Sequence, residues 1–100
     1  MTPNVVFRPA ALRDLAAIYT WIADRADAQV ASAYVARLRA ACAALSDFPE
    51  RGSPRDDLKS GLRTIPFERR AVIAYEMSGG QIRIVGIFHR GRDIALDDDS

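Results

Sequence analysis

The 100-residue sequence predicts an α+β domain in the order β-α-α-β-β-β. Three observations carry that reading. Apolar residues recur at spacings of three and four in two successive stretches between residues 9 and 48. Three runs rich in β-branched and aromatic residues follow a loop containing proline and glycine. The last two runs are joined by Ser78-Gly79-Gly80, and a Gly-Gly pair accepts the positive φ of a tight hairpin. Helices gathered ahead of consecutive strands pack on one face of a mainly antiparallel sheet.

Asn4-Val5-Val6-Phe7-Arg8 reads as a short strand. Pro9 suits the first helical turn, where its missing N–H costs nothing. Leu12, Leu15, Ala16, Tyr19, Ile22 and Ala23 then mark one apolar stripe, with Trp21 on its flank as a helix–helix contact. Asp27 is the expected N-cap of a second helix. Its stripe is Val30, Tyr34, Leu38, Ala41, Leu45 and Phe48, and it should stop near Asp47 or Phe48, because Pro49 pushes its predecessor toward extended geometry. Cys42 beside the stripe reads as a small buried hydrophobe. Two helices with a short link make an antiparallel hairpin. Residues 49–57 are loop by composition. Leu62 to Phe67, Arg70 to Met77 and Gln81 to Phe88 form a three-strand meander, with Glu68-Arg69 as the first tight link. Pro66 hints at an edge position for the first of these strands.

Net charge is +1, which excludes a nonspecific polycation, but its distribution is uneven. Residues 1–50 balance five Arg against five acids. Residues 51–92 carry eight Arg and one Lys against four acids, and residues 93–100 carry four acids and no base. A basic surface is therefore followed by an acidic tail, residues 97–100, expected to be disordered. Residues 1–96 form the single domain. One cysteine excludes an internal disulfide and a cysteine-based zinc site. No second ligand is spaced to make His89 a metal site, and no cofactor is expected. No apolar run approaches the length of a membrane span, and no basic-then-apolar signal opens the chain, so the expected location is the cytoplasm.

The run Ile82-Arg83-Ile84-Val85-Gly86-Ile87-Phe88-His89-Arg90-Gly91-Arg92-Asp93 is an apolar strand ending in a basic cluster that includes the only histidine. A strand end on a rigid scaffold is a natural place to present charge to a partner. Arg63 and Arg70, on adjacent meander strands, extend the candidate basic patch.

The chain resembles the ParE branch of the RelE/ParE toxin superfamily over roughly residues 5–93. The resemblance rests on Pro9-Ala10, Asp14-Leu15 and Ile18, then Ala33-Tyr34 and Leu38, then Leu45 with Phe48-Pro49 and Gly52. Gly61-Leu62-Arg63, Arg70-Ala71-Val72-Ile73-Ala74-Tyr75 and Ile87-Phe88-His89-Arg90-Gly91-Arg92-Asp93 complete it. It implies the RelE/ParE-like fold and the toxin of a type II toxin–antitoxin module. It further implies inhibition of DNA gyrase and neutralisation by a ParD-like antitoxin with a ribbon-helix-helix DNA-binding end, so that DNA is reached only through the antitoxin. On this reading Arg63, Arg70, His89, Arg90, Arg92 and Asp93 bind target or partner, and Tyr19, Trp21, Tyr34 and Leu38 offer the antitoxin an apolar surface.

Two other classes stay open on the residues alone. A RelE-like, ribosome-dependent mRNA endonuclease would use His89 for proton transfer and Arg63, Arg70, Arg90 and Arg92 for phosphorane charge. Against it, nothing beyond Asp93 does acid–base work at neutral pH, Tyr75 sits in an apolar strand with a core role, and Glu76 aims at the opposite face. The third class is an interaction module without toxicity. The favoured expectation is a non-enzymatic, gyrase-directed toxin.

Overall fold

A computed structural model describes residues 3–89. The elements are β1 (Asn4–Phe7), α1 (Pro9–Arg25), α2 (Ala28–Ala44), β2 (Ser53–Pro54), β3 (Leu62–Phe67), β4 (Ala71–Ser78) and β5 (Gln81–His89). Arg90, Arg92, Asp93 and the acidic tail lie outside the described residues.

Both helices begin where their chemistry places them. Arg8 is extended (φ −69°, ψ 155°) and Pro9 opens α1. The Asp27 carboxylate accepts the Val30 backbone N–H at 2.8 Å at the start of α2. The buried faces keep Leu15, Ile22, Tyr34, Leu38 and Leu45 of the expected stripes and depart from them elsewhere. Ala11, Leu15, Ile18 and Ile22 are buried in α1, and Ala31, Tyr34, Leu38, Cys42 and Leu45 in α2, whereas Leu12, Val30 and Phe48 are exposed. Ala11 and Ala31 take buried places in the first turns of the two helices, and the larger Leu12 and Val30 beside them stay exposed. Helix α2 also ends earlier than expected, at Ala44. Successive bonds from the N–H groups of Leu45, Ser46 and Asp47 to the third residue back tighten the chain into turns. Burial pushes the Cys42 thiol up to about 12, so it is an inert core group.

The sheet order is β1-β5-β4-β3-β2. The meander β3-β4-β5 is antiparallel throughout, and β1 joins β5 in parallel, Asn4 opposite Gln81 and Phe7 opposite Ile84. Gly79 and Gly80 both hold positive φ in the β4–β5 hairpin. The β3–β4 link does the same without glycine, with Glu68 at φ 49° and Arg69 at φ 61°. Non-glycine residues adopt this conformation only at a cost. Inside the loop after α2, the two-residue β2 pairs with Arg63 and Thr64, covering only part of β3.

A bulge in β5 shapes the layer beneath α1. Ala74 faces Gly86 but Tyr75 faces Ile84, so Val85 is the extra residue. Ile82, Ile84 and Ile87 consequently all point into the helix-side core, while Val85 joins Leu62, Ala74 and Phe88 in a smaller buried cluster. The Asp14 carboxylate on α1 accepts the Ile87 N–H at 2.9 Å, and the Arg8 N–H donates to the Ile84 carbonyl at 2.9 Å. These bonds seat α1 over the bulge.

Candidate functional site

The sheet has two chemically distinct ends. One is where β5 finishes at His89, beside the start of β4 and the β3–β4 turn, since Ala71 faces both His89 and Phe67. His89 is on the helix side and only 8% exposed. Trp21 from α1 meets its ring edge-on at 4.8 Å, and Tyr34 from α2 lies at 6.3 Å in a perpendicular pose. Tyr34 also contacts Phe67 edge-to-face at 5.5 Å. The outer face of Trp21 carries the Arg25 guanidinium at 4.0 Å, which donates to the Trp21 carbonyl at 3.2 Å. At the turn, Arg37 grips Glu68 with two bonds, 2.8 and 3.1 Å. This pairing holds the Glu68 carboxyl below its usual range and raises Arg37. Desolvation is the main cause pushing the Tyr34 phenol up. Arg69 and Arg70 project from the turn, exposed.

At the other end, residues 48–54 fold over β3 and β4. Tyr75 and Arg63 are direct cross-strand neighbours, and both reach into this loop. The fully buried Tyr75 hydroxyl donates to the Pro49 carbonyl and accepts the Gly52 N–H, each at 2.8 Å. Arg63 donates to the carbonyls of Glu50 (3.0 Å) and Gly52 (2.6 Å). Gly52 has no room for a side chain, since a Cβ would sit 2.6 Å from the Tyr75 hydroxyl and 3.0 Å from the Thr64 carbonyl. Asp47, Phe48, Pro49, Glu50, Arg51 and Met77 line a groove of about 630 Å³.

This geometry divides the expected site residues. His89 and Arg70 do share one end, with Trp21 close to His89. Arg63 does not join them. It lies five strand positions from Arg70, roughly 16 Å at about 3.3 Å per residue, and its guanidinium is committed to the loop. Tyr34 and Leu38 are not an exposed apolar surface. They are 5% and 0% exposed because they face the sheet and form core. Tyr19 is half-buried against that core, and Trp21 is the exposed member of the four. Tyr75 has the core role read from its apolar strand, and it also fastens the loop. Glu76 points away from the helices, pairing with Lys59 at 3.1 Å. Among the described residues no three His, Cys, Asp or Glu side chains converge as a metal site, and no helix is long and apolar enough to cross a membrane.

The two-helix layer on a β1-β5-β4-β3-β2 sheet invites comparison with known proteins. Residues 5–94 match a family model described as the ParE toxin of the type II toxin-antitoxin system, parDE. The chain belongs to the ParE toxin family. It is accordingly a toxin of the type II toxin–antitoxin class. No curated protein matches the sequence. Among solved structures, the chromosomal ParDE system of P. aeruginosa superposes with a TM-score of 0.78 at 22% identity, over 88% of this chain and 96% of that one. The RelBE2 toxin–antitoxin complex of Mycobacterium tuberculosis gives 0.61 at 20% identity, over 90% and 100%. At these identities both likenesses show the fold alone: two helices on a mixed, mainly antiparallel five-stranded sheet.

Three residues of the site carry roles that the sequence reading left unassigned. Asp14 bonds β5, Gly52 admits the Tyr75 ring, and Arg37 pins the β3–β4 turn. Arg63 was legible in principle: period two puts it on the same face as Ile65 and Phe67, toward the helices.

Proposed function

We propose that this ParE-family toxin works by docking on a protein target, DNA gyrase, and so blocks replication without making or breaking a bond itself. A ParD-like antitoxin with a ribbon-helix-helix end neutralises it and supplies the only link to DNA. The docking face is the His89 end. There Trp21 with its stacked Arg25, and the exposed Arg69 and Arg70, combine apolar area with positive charge. Arg90, Arg92 and Asp93 follow His89 in sequence and are the further residues proposed to bind the target or partner.

The observation that carries the non-catalytic reading is the enclosure of His89. An imidazole that exchanges protons with substrate must approach it within hydrogen-bonding distance. This ring is shielded by Trp21 and Tyr34. The Tyr75 hydroxyl and Arg63, two further groups suited to ribonuclease chemistry, are engaged with the loop at the far end. A supercoiling assay with purified gyrase and the isolated chain tests the target. Dose-dependent loss of supercoiling is expected, and full supercoiling at high toxin excess overturns the assignment. Mapping transcript ends after induction tests the mode of action. Codon-phased cuts that vanish in His89→Ala would instead establish the ribonuclease.

A further inference from the structure

The groove at the end remote from His89 plays no part in the proposed gyrase contact, yet it has the marks of a built site. Its wall is the loop 48–54, and that loop is fastened from below by the buried Tyr75 and the half-buried Arg63. Tyr75 and Arg63 together make four bonds to the backbone of Pro49, Glu50 and Gly52. Gly52 lies so close to the Tyr75 ring that the loop has little room to move inward. The fastening therefore fixes in advance the positions of the residues that point outward. Pre-formed concavity lowers the ordering cost of binding.

The outward side chains are apolar where a core residue would normally be covered. Phe48 is 64% exposed and Met77 45% exposed, and both line the same groove. A volume of about 630 Å³ lies within the range of roughly 300–1,000 Å³ typical of ligand sites. An apolar floor with a polar rim marks a protein-interaction site, and a flexible methionine adapts to an incoming side chain.

Charge selects the occupant. Asp47 and Glu50 stand on the rim, and neither forms an ion pair among the described residues. The one basic residue of the lining, Arg51, has its guanidinium 5.6 Å over the Phe48 ring. Two carboxylates against one cation leave the rim net negative, although the chain as a whole is net positive. We propose that this groove docks a short peptide segment of another protein, an apolar anchor flanked by Lys or Arg. The anchor fills the space between Phe48 and Met77, and the flanking cations meet Asp47 and Glu50. Tyr75 and Arg63 act as positioning residues, touching the loop and not the peptide.

Short synthetic peptides sharing one Leu-Ser-Ser-Phe anchor test the proposal, flanked by Lys, by Ser or by Glu. Each is titrated into the isotope-labelled full chain and followed by NMR. The Lys-flanked peptide is expected to shift the Arg51, Gly52 and Met77 amides and to bind about tenfold more tightly than the Glu-flanked one. Phe48→Ser and Met77→Ser, both at exposed positions, should each weaken binding by about tenfold while leaving the remaining spectrum intact. Asp47→Asn with Glu50→Gln should bring the Lys-flanked peptide down to the Ser-flanked level. Tyr75→Phe should weaken all three peptides without changing their ranking. Equal binding of Lys- and Glu-flanked peptides overturns the proposal, as does silence of the three amides with every peptide. Groove resonances that shift on dilution of the chain alone overturn it too, by making a second copy the occupant. None of these outcomes bears on the supercoiling assay.

Discussion

At the groove end, a tyrosine and an arginine reach out of the sheet and hold a loop by its backbone; at the His89 end, rings stack on rings and one ion pair clasps a turn. The first arrangement centres on the buried bond from the Gly52 N–H to the Tyr75 hydroxyl, and leaving a buried partner unsatisfied costs about 1–3 kcal/mol. The second relies on edge-to-face contacts worth about 0.5–1.5 kcal/mol each and on an exposed cation–π pair of about 0.5–1 kcal/mol. Loop 48–54 is therefore held by the strands beneath it, whereas Trp21, Arg25 and the β3–β4 turn can rearrange at small cost. The difference suits the two proposed tasks. A pre-shaped groove selects a peptide, and an adjustable basic, aromatic face fits itself to a large target.

The sharpest way to break this contrast is at Gly52. Gly52→Ala drives a methyl group into the Tyr75 hydroxyl and the Thr64 carbonyl, an overpacking expected to cost about 2–3 kcal/mol. Urea denaturation would measure it, and a loss within error of zero would show that the loop is loosely held. Next is Tyr75→Phe, which keeps the ring but strands the Pro49 carbonyl and Gly52 N–H. Its expected cost is about 1–2 kcal/mol, with faster hydrogen exchange confined to residues 49–54.

At the other end the largest expected change has the opposite sign. Arg69 holds φ 61° and its side chain is exposed, so Arg69→Gly relieves backbone strain and should stabilise by about 0.5–1 kcal/mol. A lower melting temperature would refute the strain. The smallest effect is the pH response of the clasp. Arg37 lowers the Glu68 pKa from its usual 4.5, so the stabilisation is present above that value and fades as pH falls through the lower, folded-state value. Arg37→Ala should abolish this increment of acid sensitivity, read as the difference between wild-type and variant stability at pH 6 and below pH 4.

Much of the fold was legible because local chemistry decided it. Pro9, Asp27 and Gly79-Gly80 mark α1, α2 and the last hairpin where the structure has them. The helix faces were right at Leu15, Ile22, Tyr34, Leu38 and Leu45 and one residue off at their first turns, since Leu12 and Val30 outweigh Ala11 and Ala31 on any scale of hydrophobicity. Packing against a sheet prefers the smaller side chain at the closest approach. The parallel pairing of β1 with β5 and the bulge at Val85 depend on contacts between distant segments, which no local pattern records. The Glu68-Arg69 turn was placed by spacing alone; its positive φ values belong to residues that rarely adopt them. Of the candidate site, His89 and Arg70 were singled out in the sequence, and the structure places them at one end of the sheet. The Tyr75–Arg63 fastening was hidden because its partners are backbone carbonyls and one backbone N–H in a loop, and backbone atoms leave no mark in a sequence.

The central claim is that this toxin acts by occupying its target and not by turnover, and a stoichiometric titration of supercoiling tests it most directly. With gyrase held well above the dissociation constant, the proposed mode predicts that inhibition rises linearly with added chain and saturates near a fixed molar ratio to gyrase. Complete inhibition at a small fraction of that ratio, deepening with incubation time, would mean that each molecule disables many, and would contradict it.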